Sequence, residues 1–533
     1  MTREIEASRE TGDSDETATP RWLLGIDAGL TTVKAALVSS DGRESTVRSR
    51  ETPTQRADSN HREVELEALW SAVAETVREV VDDGPVSPSA IEAVGVAGHG
   101  HGLYLLDDDG RPVRPGIRST DNRATDIVAE WEADGTAATI RDRLGYAPFG
   151  AEPISLLAWL KRHEPDAYAR ISDVLFCKDY LKYRLTDRIT TDEMEGSVFA
   201  DPRTGAYATD LLDDLGLGAV RSALPEVVES WRTCGTVTAE AAAETGLEPG
   251  TPVASGLHDV GAVTLGTGAY TPGQAVVIVG TWGQSIVVLD DPARLTDDGA
   301  VSAETEPSGL TRRYLDGGWL RYKGNRSAAA SLDWFVEEFG EGWRQRAEAA
   351  DVDPYAMYDR VVERVPPGAE GVLFHPYLYG STDDPEATGG FYGLTADHGK
   401  EHMLRAVYEG VAMAGIEQLT QLAPSRQIGD VRLSGGGARS DVWAGMFADV
   451  NDDPVVVPAG EESGARGAAI CAAIAADIHP DHSSAVDQMV PDGRRHDPDP
   501  DAAETYRLQR ETFSAALSAL RPLWDRLGPP EKD

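Results

Sequence analysis

Positive charge is what this chain has least of. Lys and Arg number 49 against 90 Asp and Glu, a formal net charge of −41 over 533 residues, and only seven of the 49 are lysines. A surface of that sign repels nucleic-acid phosphates and anionic lipid headgroups over any distance that salt leaves unscreened, which argues against both as partners. Abundant Asp with Arg as the main cation matches a salt-rich cytoplasm, where a dense carboxylate surface stays hydrated; an acidic surface without that adaptation is the plainer alternative. Cysteine is scarce too. Cys177, Cys234 and Cys471 lie far apart and form no CxxC, which argues against a disulfide framework or zinc site, and buried reduced thiols are expected. No long hydrophobic run occurs: the stretch Gly467 to Ile478 is too short and Ala-rich to cross about 30 Å of hydrocarbon. The start, MTREIEASRETGDSDET, has charges where a signal peptide needs an apolar run, and a cytoplasmic location is expected.

What is present is a steady alternation of apolar runs with Gly and Pro breaks, as in a folded α/β protein of two to four domains. Residues 1–20 carry charge without periodicity and are read as a disordered acidic tail. From Arg21, LLGIDAGLTTVKAALVSSDG gives two apolar runs about a Gly turn, a β-hairpin. Leu66, Leu69, Trp70, Val73, Val77 and Val80 then recur at helical spacing until Asp83-Gly84-Pro85 stops them. VGVAGHGHGLYLLDDDGRPV reads as strand, polar loop, strand and turn, and a helix is expected from Leu156 to His163. The hairpin layout returns in AVVIVGTWGQSIVVLDD, with Thr281-Trp282-Gly283 opposite Asp27-Ala28-Gly29. Two such hairpins, each heading a long α/β stretch, predict two lobes of related fold, 21–257 and 258–480, with the ligand in the cleft between them. Residues 481–533 are expected to be an acidic linker and a final helix, roughly Ala502 to Leu527.

Three glycine turns carry the chemistry. Cradling phosphate needs backbone N–H groups that approach closely, hydroxyl donors and a cation. DAGLTTVK holds all three, with Thr31 and Thr32 as donors, Lys34 as cation and Asp27 to hold magnesium or its water shell. Turns of this composition also occur in sheets that bind nothing. GTWG adds a second turn, Gly280, Thr281 and Gly283, suited to terminal phosphates from the opposite lobe. VRLSGGGARSDVW follows a predicted strand and precedes a predicted helix, so Gly435, Gly436 and Gly437, with Asp441 beyond them, are placed on the nucleotide side. Packing alone also asks for glycine at such a turn. Neither GxxxxGK[ST] nor GxGxxG is present.

Taken together, these segments resemble the FGGY carbohydrate kinases of the actin, hexokinase and heat-shock chaperone superfamily. GGFYGLTADHGKEHMLRAVYE, Gly389 to Glu409, fits the family's second signature, including Phe391, Gly393, Leu394, His402, Met403, Ala406 and Glu409. PISLLAWLKRH, Pro153 to His163, fits the first except that Leu156 stands where Lys is expected. The similarity runs from about Leu23 to Ala475. It implies an α/β fold of two actin-like (ribonuclease H-like) lobes with mixed sheets flanked by helices, an interdomain catalytic cleft, ATP and Mg²⁺ as cofactors, and a possible homodimer.

The resemblance also implies the roles. Family kinases place a catalytic Asp in a G-x-x-D segment at the lobe junction, here GLHD, which makes Asp259 the base that takes a proton from the sugar hydroxyl attacking the γ-phosphate. A helix cap or ion-pair partner is its bland alternative. AGHGHGLYLLD puts His99, Gly100 and His101 where xylulose kinases show Gln-Met-His, His101 being the favoured sugar contact and His99 equally readable as solvated. Asp121 and Arg123 of RSTDNRA resemble a second polyol-contacting segment or form a surface pair, and His258 is either another polar ligand or a packed neighbour. Gly100-His101 stand where glycerol kinases carry Arg-Glu, and Glu152 sits near a position they fill with Tyr. Leu30 replaces a hydroxyl residue common in the first turn. The expectation is an ATP-dependent kinase for a pentulose, xylulose ahead of ribulose, erythritol and glycerol, most similar to the L-xylulose and erythritol kinase branch. A nucleotide-dependent binding protein without kinase activity is the alternative from another class.

Overall fold

Strands of two hairpins point successive side chains to opposite faces, and burial of both faces builds a layered molecule. The computed structural model describes residues 20–55, 60–291, 309–381, 387–423 and 428–527, so nearly all of the expected acidic tail lies outside the described residues. The first sheet comprises β1 (Trp22–Ala28), β2 (Thr32–Ser39), β3 (Glu44–Glu51), β4 (Ile91–Gly98), β5 (Thr233–Thr236), β6 (Pro252–Ala254) and the short β7 (Leu257–His258). Its order is β5-β6-β4-β1-β2-β3, with β7 also on β4; β1, β4 and β6 run parallel and the outer pairs antiparallel.

The second sheet comprises β8 (Gln274–Val279), β9 (Gly283–Leu289), β10 (Leu310–Arg313), β11 (Trp319–Asn325), β12 (Asp430–Ser434), β13 (Val455–Val457) and β14 (Arg494–His496). Its order β10-β11-β9-β8-β12-β13-β14 repeats the antiparallel meander, the parallel centre and the antiparallel edge. The echo between the two hairpins is therefore an echo between whole sheets.

Helices fill three layers. Leu24 and Ile26 of β1 pack with α1 (Leu66–Asp83), whose apolar face is the one expected from its spacing, and with α3 (Cys177–Thr186). On the far side, Ala275, Val277 and Val279 of β8 pack with α5 (Lys400–Leu422) and α6 (Asp441–Asn451). Between the sheets lie α4 (Asp259–Gly266) and α7 (Ser463–Ala475), covered by Leu23, Ala93 and Ala97 from one sheet and Val276, Ile286 and Val288 from the other. A separate core gathers Leu103, Ile117, Leu144, Ile154 and Leu157 around α2 (Pro153–His163).

The Ala-rich stretch that is too short for a membrane is thus the middle layer of the protein. No helix is long and apolar enough to cross a membrane among the described residues. Small side chains let α7 reach backbone distance of its neighbours: a Cβ on Gly25 or Gly95 would overlap the carbonyl oxygens of Ala465 and Ala468, and one on Gly266 that of Ser463.

Three expectations change. The helix expected from Leu156 begins at Pro153, which takes the first-turn position where its missing N–H costs no bond. Residues after Pro480 are not a linker: His482–Met489 is helical, Arg494–His496 pairs with β13, and α8 (Pro500–Leu527) follows. His482 there donates its Nδ1–H to Asp316 Oδ2 at 3.0 Å. Of the three cysteines, Cys177 and Cys471 are buried while Cys234 is half-buried.

Replacing Gly95 with Val should lower unfolding free energy by about 2–3 kcal/mol, because the new atoms meet backbone that cannot swing aside. Gly445→Ala on α6, where a Cβ meets nothing within 4 Å, should instead stabilise by about 0.5–1 kcal/mol. Denaturant melts of both variants check the contrast.

Candidate active site

The turn between β1 and β2 sits at the N-terminal end of α7. Asp27 faces Lys34 across the hairpin register, and Gly464 packs on its carboxylate, where a Cβ would overlap Oδ2. Asp27 Oδ1 is buried without a partner. Burial lifts the Asp27 pKa to about 6, with Lys34 pulling the other way and Glu462 adding to the rise. Lys34 is not a lone cation, since its Nζ lies 2.8 Å from Glu462. Thr31 is exposed and Thr32 half-buried at the mouth of the turn.

The second and third glycine turns meet each other. Gly435, at φ +90°, packs on the end of β8, where a Cβ would come within 2.8 Å of Val279 O and 3.0 Å of Gly280 N. Gly436 borders open space. Ser434, just before them, places its Oγ 3.2 Å from Ser463 Oγ on α7, one residue from the glycine that cradles Asp27. All three turns therefore converge on the N-terminus of α7. The carbonyls of Gly280 and Thr281 accept N–H bonds from Ala329 and Ala330 at 2.8 and 3.3 Å, while Gly283 packs on Ala328. Asp441 is apart from this: it is exposed, hydrogen-bonded by Arg494 and 3.5 Å from His496.

Asp259 opens α4 directly after β7, whose pairing with β4 brings GLHD beside Gly98. Its side chain is 29% exposed, enough to reach an incoming hydroxyl and little enough to be poorly solvated. Oδ1 accepts the Val260 N–H at 2.7 Å and lies 3.4 Å from His258 Nε2. Burial, and then the nearby charge of Asp27, push its pKa up to about 7. His258 is buried and held neutral, chiefly by desolvation. Behind them, Glu195 is raised well above the usual carboxylate range by burial, against the pull of Lys178, with Asp192, Asp179 and Asp259 adding to the rise. Gly100 is the space between: a Cβ there would overlap the His258 ring and come to 3.0 Å from Glu195 Oε1.

His101, at φ 58°, is held from both lobes. Its Nδ1 lies 3.2 Å from Glu152, its Nε2 3.3 Å from the Tyr322 hydroxyl, and its ring meets His258 edge-on at 5.8 Å. Arg312, from β10, reaches the other Glu152 oxygen at 2.5 Å. Burial would raise Glu152, and Arg312 with His101 outweigh that and lower it. His99 is buried, 2.9 Å from the Tyr104 hydroxyl, and desolvation drives its pKa to about 3, so the solvated alternative fails.

Asp121 and Arg123 are neither a surface pair nor open to the cleft. Arg123 donates to both Asp121 oxygens at 2.9 and 2.8 Å and to Glu63 at 2.6 Å, and Asp121 also accepts the Arg62 N–H at 2.7 Å; both side chains are fully buried. Glu195, Arg312 and Tyr322 were not singled out from sequence, and no local pattern marks them. Besides Asp27, the buried polar atoms His99 Nδ1, His258 Nδ1, Glu195 Oε1 and Arg312 Nε lack partners. A polyhydroxylated molecule, donor and acceptor at each oxygen, suits that set. Among the described residues no group of three or more His, Cys, Asp or Glu is placed to hold a metal. Asp27, with its orphaned oxygen, fits a Mg²⁺ that takes one or two carboxylates and draws its other ligands from phosphates and water.

Two lobes of repeated mixed sheet around a junction acid define an actin-like sugar-kinase fold. Residues 22–266 match the FGGY family of carbohydrate kinases, N-terminal domain, and residues 275–476 match its C-terminal domain, so the chain belongs to that family and is a carbohydrate kinase. It is 31% identical to the L-xylulose/3-keto-L-gulonate kinase of Escherichia coli over 95% of this chain and 99% of that one. It is 29% identical to the erythritol kinase of Brucella abortus over 98% and 99%. The solved xylulose kinase of Rhodospirillum rubrum superposes with a TM-score of 0.83 at 30% identity, covering 95% of this chain and all of that one.

The raised Asp259 pKa has a cost in stability. A carboxyl whose folded pKa exceeds its unfolded value keeps the fold fully stable only below the unfolded pKa, and stability falls as pH rises from about 4 to about 7. Asp259→Asn cannot ionise, so it should be more stable than the parent by about 2 kcal/mol at pH 8, with the difference shrinking toward pH 4. Melts at pH 8 and pH 5 measure this.

Proposed function

We propose that the protein transfers the γ-phosphoryl group of ATP to a terminal hydroxyl of a pentulose, xylulose foremost, with Asp259 as general base. The observation that carries this reading is the setting of Asp259. It is partly open at the lobe junction, pushed to about 7, and beside the unpartnered atoms of Asp27, Glu195 and His258.

A base with a pKa near neutrality takes a proton readily while half of it is ionised near working pH, which is the compromise general-base catalysis favours. On binding, the acceptor's hydroxyls serve the orphaned atoms around His258 and Glu195 and hold one oxygen toward Asp259. As that oxygen attacks the γ-phosphorus, the bond from phosphorus to the β–γ bridging oxygen breaks, ADP leaves, and Asp259 accepts the proton of the hydroxyl. Phosphoryl transfer asks the protein mainly for alignment and charge stabilisation, which fall here to Lys34, Thr31, Thr32 and the Gly280–Gly283 and Gly435–Gly437 turns. Mg²⁺, when bound with ATP near Asp27, neutralises charge on the phosphates.

The relatives' names support a small polyhydroxylated acceptor without fixing one: L-xylulose, 3-keto-L-gulonate, erythritol. A panel of pentuloses, erythritol and glycerol in high potassium chloride, scored by kcat/KM, ranks them, and xylulose should lead.

Two outcomes test the role of Asp259. Asp259→Asn should lower kcat by about 10³-fold with ATP affinity nearly unchanged; turnover near the parent's would overturn the assignment. In the parent, kcat/KM should rise with pH and reach half its plateau at about pH 7. Since the Asp27 charge contributes to that value, Asp27→Asn should move the limb to lower pH.

A further inference from the structure

We infer that the Glu152–Arg312 ion pair makes the acceptor site selective for uncharged ketoses and polyols and closes it to sugars that carry a carboxylate. This rests on the kinase reading above and specifies its substrate class. The pair is buried, joins the two lobes at 2.5 Å, and is linked through His101 to His258 and Asp259. A buried guanidinium is the group best shaped to take a sugar carboxylate in two parallel hydrogen bonds. Here the protein supplies that carboxylate itself.

The neighbouring cations are engaged as well. Lys178 holds Asp192 at 2.8 Å as well as Asp179, Lys182 holds Asp179 at 3.1 Å, and Arg118 donates to Leu30 O and Thr54 Oγ1. A sugar acid would therefore bring its charge toward Asp27, Asp259 and Glu152 while the guanidinium of Arg312 is already paired. Hydroxyls meet no such penalty, and they answer the unpartnered His258 Nδ1, Glu195 Oε1 and Arg312 Nε. Discrimination of this kind comes from an unfavourable contact with the wrong ligand, with no extra contact needed to the right one.

The test compares xylulose and erythritol with gluconate and 3-keto-L-gulonate as acceptors, for the parent, Glu152→Gln and Glu152→Gln/Arg312→Gln. The parent should favour the neutral acceptors by about 100-fold or more in kcat/KM. Glu152→Gln, which frees Arg312, should narrow that gap by about tenfold or more, mainly through KM for the acids, and the double variant should widen it again. An acid used by the parent within about tenfold of the best neutral acceptor, or an unchanged gap in folded Glu152→Gln, overturns the inference while leaving the kinase reading intact. Should Glu152→Gln fail to fold, competition in the parent decides: gluconate at high concentration should leave xylulose phosphorylation unaffected, and competitive inhibition by it overturns the inference. A parent that phosphorylates none of the four overturns the xylulose reading and this inference with it.

Discussion

Everything at the lobe junction depends on how closely the backbone of α7 can approach its neighbours. The helix is built from Gly, Ala and Ser over most of its length and touches β1, β4 and α4 at positions where those elements also carry glycine. Such contacts bury little area per residue but leave almost no slack, since carbonyl oxygens and Cα atoms cannot rotate away as side chains do. Arg466 tightens the layer from inside: its Nε donates to Gly266 O at 2.8 Å and its Nη1 to Ala459 O at 2.6 Å. The result is a fixed seat for the start of α7, and Asp27, Ser434 and the glycine turns are placed by reference to it.

On that seat the protein gathers like charges. Asp27, Asp259 and Glu195 are all raised above the ordinary carboxylate range, with burial the largest cause in each. A sequence optimised only for stability would neutralise or replace them; their persistence together marks a place where folding and chemistry pull in opposite directions. The compensation lies one layer back. In a chain with so few lysines, Lys178 and Lys182 are both fully buried, paired with Asp179 and Asp192 behind Glu195. An unpaired buried charge would be strongly destabilising, whereas this alternating cluster holds its own charges and tempers the field at the acids.

The sequence made the fold legible where local pattern and topology agree. Both hairpins, α1 and the glycine turns are readable because apolar runs broken at turn residues, and helical spacing, are local signals. The repeat concerns the first two turns; the third meets them only through Val279 and Ser463, contacts no local pattern marks. The segment after Pro480 was misread because its composition resembles a loop, and only pairing with β13 makes Arg494–His496 a strand. Asp121 and Arg123 were misplaced for a related reason: sequence gives their proximity to each other, not the depth at which they sit. Depth also decides His99, whose polar loop turned out to be buried against Tyr104.

The most specific motif in the sequence ends on a residue that serves packing. Glu409, the last residue of the Gly389–Glu409 signature, is buried in the second lobe, where it accepts the Gly368 N–H at 2.9 Å, Arg405 Nε at 2.6 Å and the Tyr506 hydroxyl at 2.8 Å, tying α5 to α8. That motif identifies the fold because it is a packing solution, and the fold brings the reaction class with it. In the inference drawn above, acceptor choice has a different origin. Glu152 and Arg312 lie 160 residues apart and come from different lobes, so neither carries meaning without the other. A residue pair of that kind lies outside both signatures, so on that inference acceptor choice is separate from the phosphoryl-transfer chemistry that the scaffold carries.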